Sequence, residues 1–417
     1  MHDSTSLDPS QPVQEASGQA DAPTAQQQMS ADEIALYDRQ IRLWGVKAQE
    51  KLRSARILLI GIKALGNEVA KNLMLAGIGS LTVVDHENVT EDDLGSQFLI
   101  SEEHVGQNRA QAASTALQKL NPRVNLEIDT ADIRTKPPEF FSAFDITIAL
   151  SSQLDTLNTI NAVCRIYSRK FYAADIQGMY GYIFADLIAH DFVIERSKSN
   201  VPTVFGHPET LTRSIISATT KREAGKVTEY VTKREIYSPL LLANTSPLPP
   251  DIIRNRRKRL QVTPLLTGMR ALFDYLRLTA GALPHPGSRT DLETFTKLCR
   301  EKHLELQLPD ETLTAAFLRS FLQNLGSELS PVAAFLGGSL AQDIINVLGQ
   351  REQPLQNMLL FDGEECKGPI YSMHPIFDPV PATAAPVPVN DVEAGNGVVN
   401  GADTEFQNRS NAALVIE

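Results

Sequence analysis

The stretch RILLIGIKALGNEVAKNLMLAGIGSLTVVDHENV, Arg56 to Val89, decides the fold. RILLI is a short continuous apolar run, the composition of a strand buried on both faces of a parallel sheet. Glycines follow, then a helix-forming run, then SLTVVD, a second buried-type run ending in an acid. This is the βαβ layout of a dinucleotide-binding sheet. The glycine signature is broken, however. G-x-G-x-x-G asks for glycine at 61, 63 and 66, and the chain has Gly61, Lys63 and Gly66. Lys63 adds a side chain where a phosphate would press closest on the backbone. That weakens a dinucleotide reading and leaves a mononucleotide reading open. Asp85, at the tip of the second run, stands where a ribose-binding acid belongs. The plainer alternative is that Gly61, Gly66 and Asp85 only shape a strand–helix turn and a strand end.

Working outward, the pattern predicts an α/β fold, Rossmann-like, with a mainly parallel sheet covered by helices on both faces. ADEIALYDRQIRLWGVKAQEKLRSA reads as helical, with Ser30 and Glu33 spaced as a capping box. Residues 108–120 read as a helix stopped by Asn121-Pro122. VNLEIDTADI and FDITIALS read as strands, QLDTLNTINAVCRIYSR as a helix, and residues 170–195 as further strands. The alternation breaks near Arg196. From there to Glu328 the chain reads as a mostly helical insert. The α/β character resumes with SPVAAFLGGSLAQDIINVLGQ and NMLLFDG. The expected organisation is therefore a tail over 1–30, an adenylation-type first part over 31–195, the insert over 196–328, a completing piece over 329–377, and a tail over 378–417. Both tails have compositions that cannot bury enough apolar surface to order themselves.

The chain has 417 residues and a net charge of −11. That charge argues against nucleic acid or an anionic membrane as the main partner. No apolar run reads as a membrane span. The first 30 residues hold no Lys or Arg, which counts against a targeting signal. Cys164, Cys299 and Cys366 are far apart and show neither a disulfide nor a zinc spacing. Cys164 reads as core. Cys299, beside Lys297 and Arg300, has two cations that would lower a thiol pKa, although a lone cysteine in such a run is more often inert. Cys366 follows two glutamates, a setting that disfavours thiolate.

Four segments carry a more specific signal: YDRQIRLWG (37–45), GIKALGNEVAKNLMLAG (61–77), VTEDDLGSQFLI (89–100) and PVAAFLGGSLAQDIINVL (331–348). Together they resemble the adenylation domain of the activating enzymes for ubiquitin-like proteins, a superfamily shared with bacterial sulfur-carrier adenylyltransferases. Within it, VGQNRA, KPPEFFSAFD and VTKREIYSPL are most similar to the small, non-cysteine subunits of the SUMO branch. The resemblance implies a two-stage reaction. A modifier's carboxylate attacks the α-phosphate of Mg-ATP, and an enzyme cysteine then takes the acyl group as a thioester.

Against that family pattern, three charge-handling positions differ. An Asn-Arg pair is replaced at Gly95-Ser96. A lysine is replaced within VGQNRA, where Arg109 survives as the one cation. A metal-binding aspartate is replaced at Ser151, and a hydroxyl does not substitute for a carboxylate on a hard cation. The site of Gly61, Gly66, Asp85, Ser96, Arg109 and Ser151 therefore reads as degenerate. No cofactor and no metal is expected on this chain. Arg39 is retained, and the resemblance implies that it reaches in trans to a partner's ATP. A permanently charged planar guanidinium suits that role because it can bridge phosphate oxygens. The plainer alternative is that Arg39 and Arg42 form a solvated helix face, with Ile41, Leu43 and Trp44 packing inward.

The implied assembly is a heterodimer with a large subunit that carries the catalytic cysteine, ATP and Mg²⁺, with SUMO engaged through the complex. The implied compartment is the nucleus, with the cytoplasm second. Arg254 to Arg259 holds five cations in six residues, which fit a nuclear localisation signal or a solvated helix face with Ile252, Ile253 and Leu260 inward. Gly337, Gly338 and Ala341 fit either core packing or a dimer contact. The alternatives are the regulatory subunit of the NEDD8 pathway, against which the shorter insert counts, an NAD-dependent oxidoreductase, against which Lys63 and the YDRQIRLWG segment count, and a self-sufficient adenylyltransferase, against which Ser96 and Ser151 count.

Overall fold

The computed structural model describes residues 29–375 except 199, 201, 202, 207, 224 and 225. The tails expected at 1–30 and 378–417 thus lie outside the described residues, apart from Met29 and Ser30. In chain order the elements are α1 (Ala31–Leu36), α2 (Asp38–Trp44), α3 (Val46–Ser54), β1 (Arg56–Ile60), α4 (Ala64–Ala76), β2 (Ser80–Val84), α5 (Arg109–Leu120), β3 (Asn125–Asp129), α6 (Pro138–Ser142), β4 (Ile146–Leu150), α7 (Leu154–Ile166), β5 (Lys170–Gln177), β6 (Tyr180–Asp186), β7 (Ala189–Ser197), β8 (Arg213–Glu223), β9 (Lys226–Ile236), α8 (Leu240–Thr245), α9 (Pro250–Ile253), α10 (Arg256–Arg259), α11 (Leu265–Leu278), α12 (Arg289–Glu305), α13 (Ala315–Asn324), α14 (Ser330–Gly349), β10 (Met358–Asp362) and β11 (Ile370–Tyr371).

Eight strands form one sheet in the order β11-β10-β6-β5-β4-β1-β2-β3. β1 pairs in parallel with β2 and β4, β2 with β3, and β4 with β5, whereas β6, β10 and β11 run antiparallel at one side. The pleat of RILLI explains the two layers. Ile57 and Leu59 enter the core beneath α4, α5 and α14. Leu58 and Ile60 enter the core beneath α7, α11, α12 and α13. Each fully buried Leu or Ile contributes about 1.5–3 kcal/mol, so a strand apolar on both faces holds both helical layers at once.

Ser30 caps α1 as expected. Its hydroxyl accepts from Glu33 N at 3.2 Å, and the Glu33 carboxylate accepts from Ser30 N at 3.0 Å. α14 is long and apolar enough by composition to cross a membrane, which corrects the reading that no run qualifies. It is a core helix here. Leu336, Leu340 and Ile344 are fully buried, and Asp343 accepts from the buried Tyr172 hydroxyl at 2.7 Å. The glycine pair on α14 divides its roles. A Cβ on Gly337 would lie 2.5 Å from Glu68 Cβ on α4, whereas Gly338 faces open space.

Three local expectations change. The segment after Arg196 does not start with helices. β8 and β9 form a long hairpin that joins β7 in a second, three-stranded sheet, and the helical part begins at Leu240. The basic run is not one helix. Asn255 ends α9 and caps α10, its side chain accepting from Arg257 N and Lys258 N, and Leu260 is exposed rather than inward. Lys258 and Arg256 pair with Asp251 and Glu311. Leu43, expected to pack inward, is 77% exposed.

Candidate functional site

The carboxyl ends of β1, β2, β4 and β5 open onto a cleft of about 540 Å³, the place where a sheet of this type receives its ligand. Gly61, Gly66, Asp85, Arg109 and Ser151 line it together with Lys63, Asp175 and Glu328. Ser96 stands at its edge. The broken glycine loop still has its backbone shape. Gly61 has φ +84°, and a Cβ on Gly66 would lie 2.4 Å from the Gly61 carbonyl oxygen, so the loop-to-helix turn requires glycine there.

Several of its polar groups bond one another. Asp85 Oδ2 accepts from Ile62 N at 2.9 Å and Oδ1 from Glu87 N at 2.9 Å, so the acid expected for a ribose is already bonded. The surviving cation is sequestered, not free. Arg109, 3% exposed, donates to Asp85 (3.1 Å), Glu87 (3.0 Å) and Asp93 (3.3 Å). Burial works against its charge, but the three carboxylates outweigh burial and raise its pKa. Ser151, in the left-handed region at φ +46°, donates to Asp175 Oδ1 at 2.8 Å. Gln177 bonds the other oxygen of Asp175 at 2.8 Å, and burial pushes the Asp175 pKa up.

The start of α4 carries an anion of its own. Glu328 Oε2 accepts from Ala64 N at 3.1 Å and from Ser96 Oγ at 3.4 Å. Burial raises the Glu328 pKa, opposed by the Ala64 amide and the Lys63 charge. These residues do not fit Mg-ATP. A carboxylate holds the first amide of α4, Arg109 is held by three carboxylates, and Ser151 presents a hydroxyl already bonded to Asp175. Among the described residues no cluster of three or more His, Cys, Asp or Glu is arranged to hold a metal.

Asp175 and Glu328 were not singled out from the sequence. Asp175 had a usable signal, an acid at the carboxyl end of a parallel strand in KFYAADIQ. Glu328 had none, because it lies 264 positions from the amide it meets.

Arg39 is elsewhere. It lies on the exposed side of α2 and makes no ion pair or side-chain hydrogen bond among the described residues, whereas Arg42 pairs with Asp38 at 2.9 Å. The arm that carries it is fastened to the far end of α4. Gln40 donates to the Leu75 carbonyl (3.1 Å) and Gln49 to the Ala76 carbonyl (2.8 Å). Asn121 links the Tyr37 hydroxyl and the Met74 carbonyl at 2.8 Å each. The helix-end carbonyls that need partners thus receive them from the arm and from Asn121. The cleft lies at the other end of α4, about 20 Å away for a helix of 13 residues.

The cysteines complete the picture. Cys164 and Cys299 are fully buried, and burial pushes their pKa values up to about 11 and about 12. The cations near Cys299 in sequence do not activate it. Cys366 is exposed.

A mainly parallel sheet with a loop-to-helix cleft at its carboxyl edge defines a Rossmann-type nucleotide fold. The chain belongs to the ThiF family, whose profile matches residues 37–377. It is 38% identical over 349 residues to the DNA damage tolerance protein RHC31 of Saccharomyces cerevisiae, covering 83% of this chain and 98% of that one. It is 37% identical to SUMO-activating enzyme subunit 1 of Xenopus laevis, over 82% of this chain and 95% of that one. It is 36% identical to the Homo sapiens protein of the same name, over 82% and 97%.

Proposed function

We propose that this chain is the non-cysteine subunit of a heterodimeric SUMO-activating enzyme. Its large partner holds Mg-ATP and the catalytic cysteine, and this chain presents Arg39 to the partner's triphosphate. The observation that carries this reading is the placement of Arg39. It projects from an anchored arm at the end of α4 opposite the chain's own cleft, with no side-chain partner among the described residues. An arginine so placed has no reach into the cleft of its own chain. The similarity to SUMO-activating enzyme subunit 1 over four-fifths of the chain supports the same assembly.

In this reading the chain contributes charge and position. The guanidinium neutralises developing negative charge on the phosphates as the modifier's carboxylate attacks, a term of about 2–4 kcal/mol for a well-aimed donor. It supplies neither nucleophile nor metal ligand. The nucleus is the proposed compartment, with the cytoplasm second.

Reconstitution tests it. The chain alone, given ATP, Mg²⁺ and SUMO, is expected to release no pyrophosphate. Mixed with the large subunit it is expected to support adenylation and thioester formation. Adenylate formation by the isolated chain would sink the proposal.

A further inference from the structure

Residues 326–330 form a strap between the insert and α14, tied on both sides of the cleft. Gly326 N donates to Gln177 Oε1 and Gly178 N to the Ser327 carbonyl, both at 2.7 Å, while Ser330 Oγ donates to the Ser96 carbonyl at 3.4 Å. Between these ties the half-buried Glu328 turns inward onto Ala64 N and Ser96 Oγ. The first amides of a helix favour an oxyanion through their free N–H groups and the helix dipole. In this chain a carboxylate oxygen occupies that position. Arg109, which lines the same cleft and is 3% exposed, has no partner for its Nε proton among the described residues.

We propose that Glu328 is a built-in anion that takes the place of a nucleotide phosphate, so that the strap excludes nucleotides from this cleft. The proposal rests on the reading that this chain does not use ATP itself, and it names what enforces that. Arg109, held by Asp85, Glu87 and Asp93, has little charge left to offer a triphosphate. Glu328 adds repulsion and fills the first amide position of α4. A merely structural clasp needs only an acceptor for Ala64 N, which a glutamine also provides. An excluding anion needs the charge.

The test uses the full-length chain without its partner, with pyrophosphate and ADP as probes in titration calorimetry and ³¹P NMR. Wild type is expected to bind neither. Glu328→Gln and Glu328→Ala are expected to bind pyrophosphate at least about ten- to a hundredfold more tightly than wild type, the scale of one charge-assisted contact. Thermal unfolding establishes that each variant is folded. If Glu328→Ala does not fold, Glu328→Gln decides alone, since its carbonyl still accepts from Ala64. Folded variants that bind pyrophosphate no better than wild type overturn the role of Glu328, and leave the subunit assignment standing if the wild-type chain is inactive alone. Adenylation by the wild-type chain would instead overturn the subunit assignment.

Discussion

Arg39 and Asp343 show how differently two charged side chains report on function. Arg39 is exposed and unpaired among the described residues, so it contributes nothing visible to this chain's stability. Arg39→Ala is expected to leave the unfolding midpoint of the free chain unchanged. It should slow pyrophosphate release by the assembled enzyme roughly a hundredfold, as loss of an aligned electrostatic donor does. Adenylation at the wild-type rate would remove the role in trans. Asp343 is buried on α14, bonded by Tyr172 and by Leu355 N at 2.8 Å, and burial pushes its pKa up to about 6. Its folded pKa lies above its unfolded one, so its neutral form favours folding below about pH 4. That contribution is lost as pH rises through about 6, to a total of ~3 kcal/mol. Denaturant melts of Asp343→Asn should therefore lack this decline between about pH 4 and 7. A variant with the wild-type pH slope would assign the titration to another group. Arg39 was legible from its motif. Asp343 was not, because its ionisation depends on burial that local sequence does not state.

At the scale of elements, α14 and α4 form the packing pair on which the cleft and the arm both depend. Gly337 sits against Glu68 with no room for a Cβ, while Gly338 faces open space. In the free chain, Gly337→Ala is expected to cost about 1–3 kcal/mol by overpacking, and Gly338→Ala to be neutral or to stabilise by up to about 1 kcal/mol through helix propensity. Urea midpoints of the two variants check the contrast, and equal effects would contradict the contact. Most strands and helices of the first 195 residues were readable because they bury a defined face, but the helical run after Ser30 is three helices broken at Tyr37 and Gly45, and the short α6 was not read. The β8–β9 hairpin was missed because much of it is exposed and polar, so its alternation is weak. Ion pairs hold it instead: Arg213–Glu235 at 2.6 Å ties β8 to β9, and Arg234–Asp191 at 2.7 Å ties β9 to β7. The split between α9 and α10 follows from Asn255, whose capping preference outweighed the helical run around it.

For the molecule as a whole, the sheet and its cleft were legible, and the closure of the cleft was not. Glu328 and Ala64 meet only because the insert returns across the sheet, and no local pattern encodes that return. The insert also shares its core with the sheet: Phe273, Phe295 and Phe321 lie in one apolar cluster with Leu58, Ile60 and Phe171. The arm that fastens to α4 has a further consequence. Around Arg39 it displays Leu36 (58% exposed), Leu43 (77%) and Val46 (44%) to solvent. Apolar surface of this kind is what chaperones and proteases recognise on an orphan polypeptide. In the proposed heterodimer, a copy made in excess of its partner would be marked for disposal by the same segment proposed to engage that partner. Depleting the large subunit from cells is expected to shorten the lifetime of this chain in a pulse–chase experiment, and an unchanged lifetime would show that the arm is no such signal. Stoichiometry would then be kept by degradation, with no matched synthesis required.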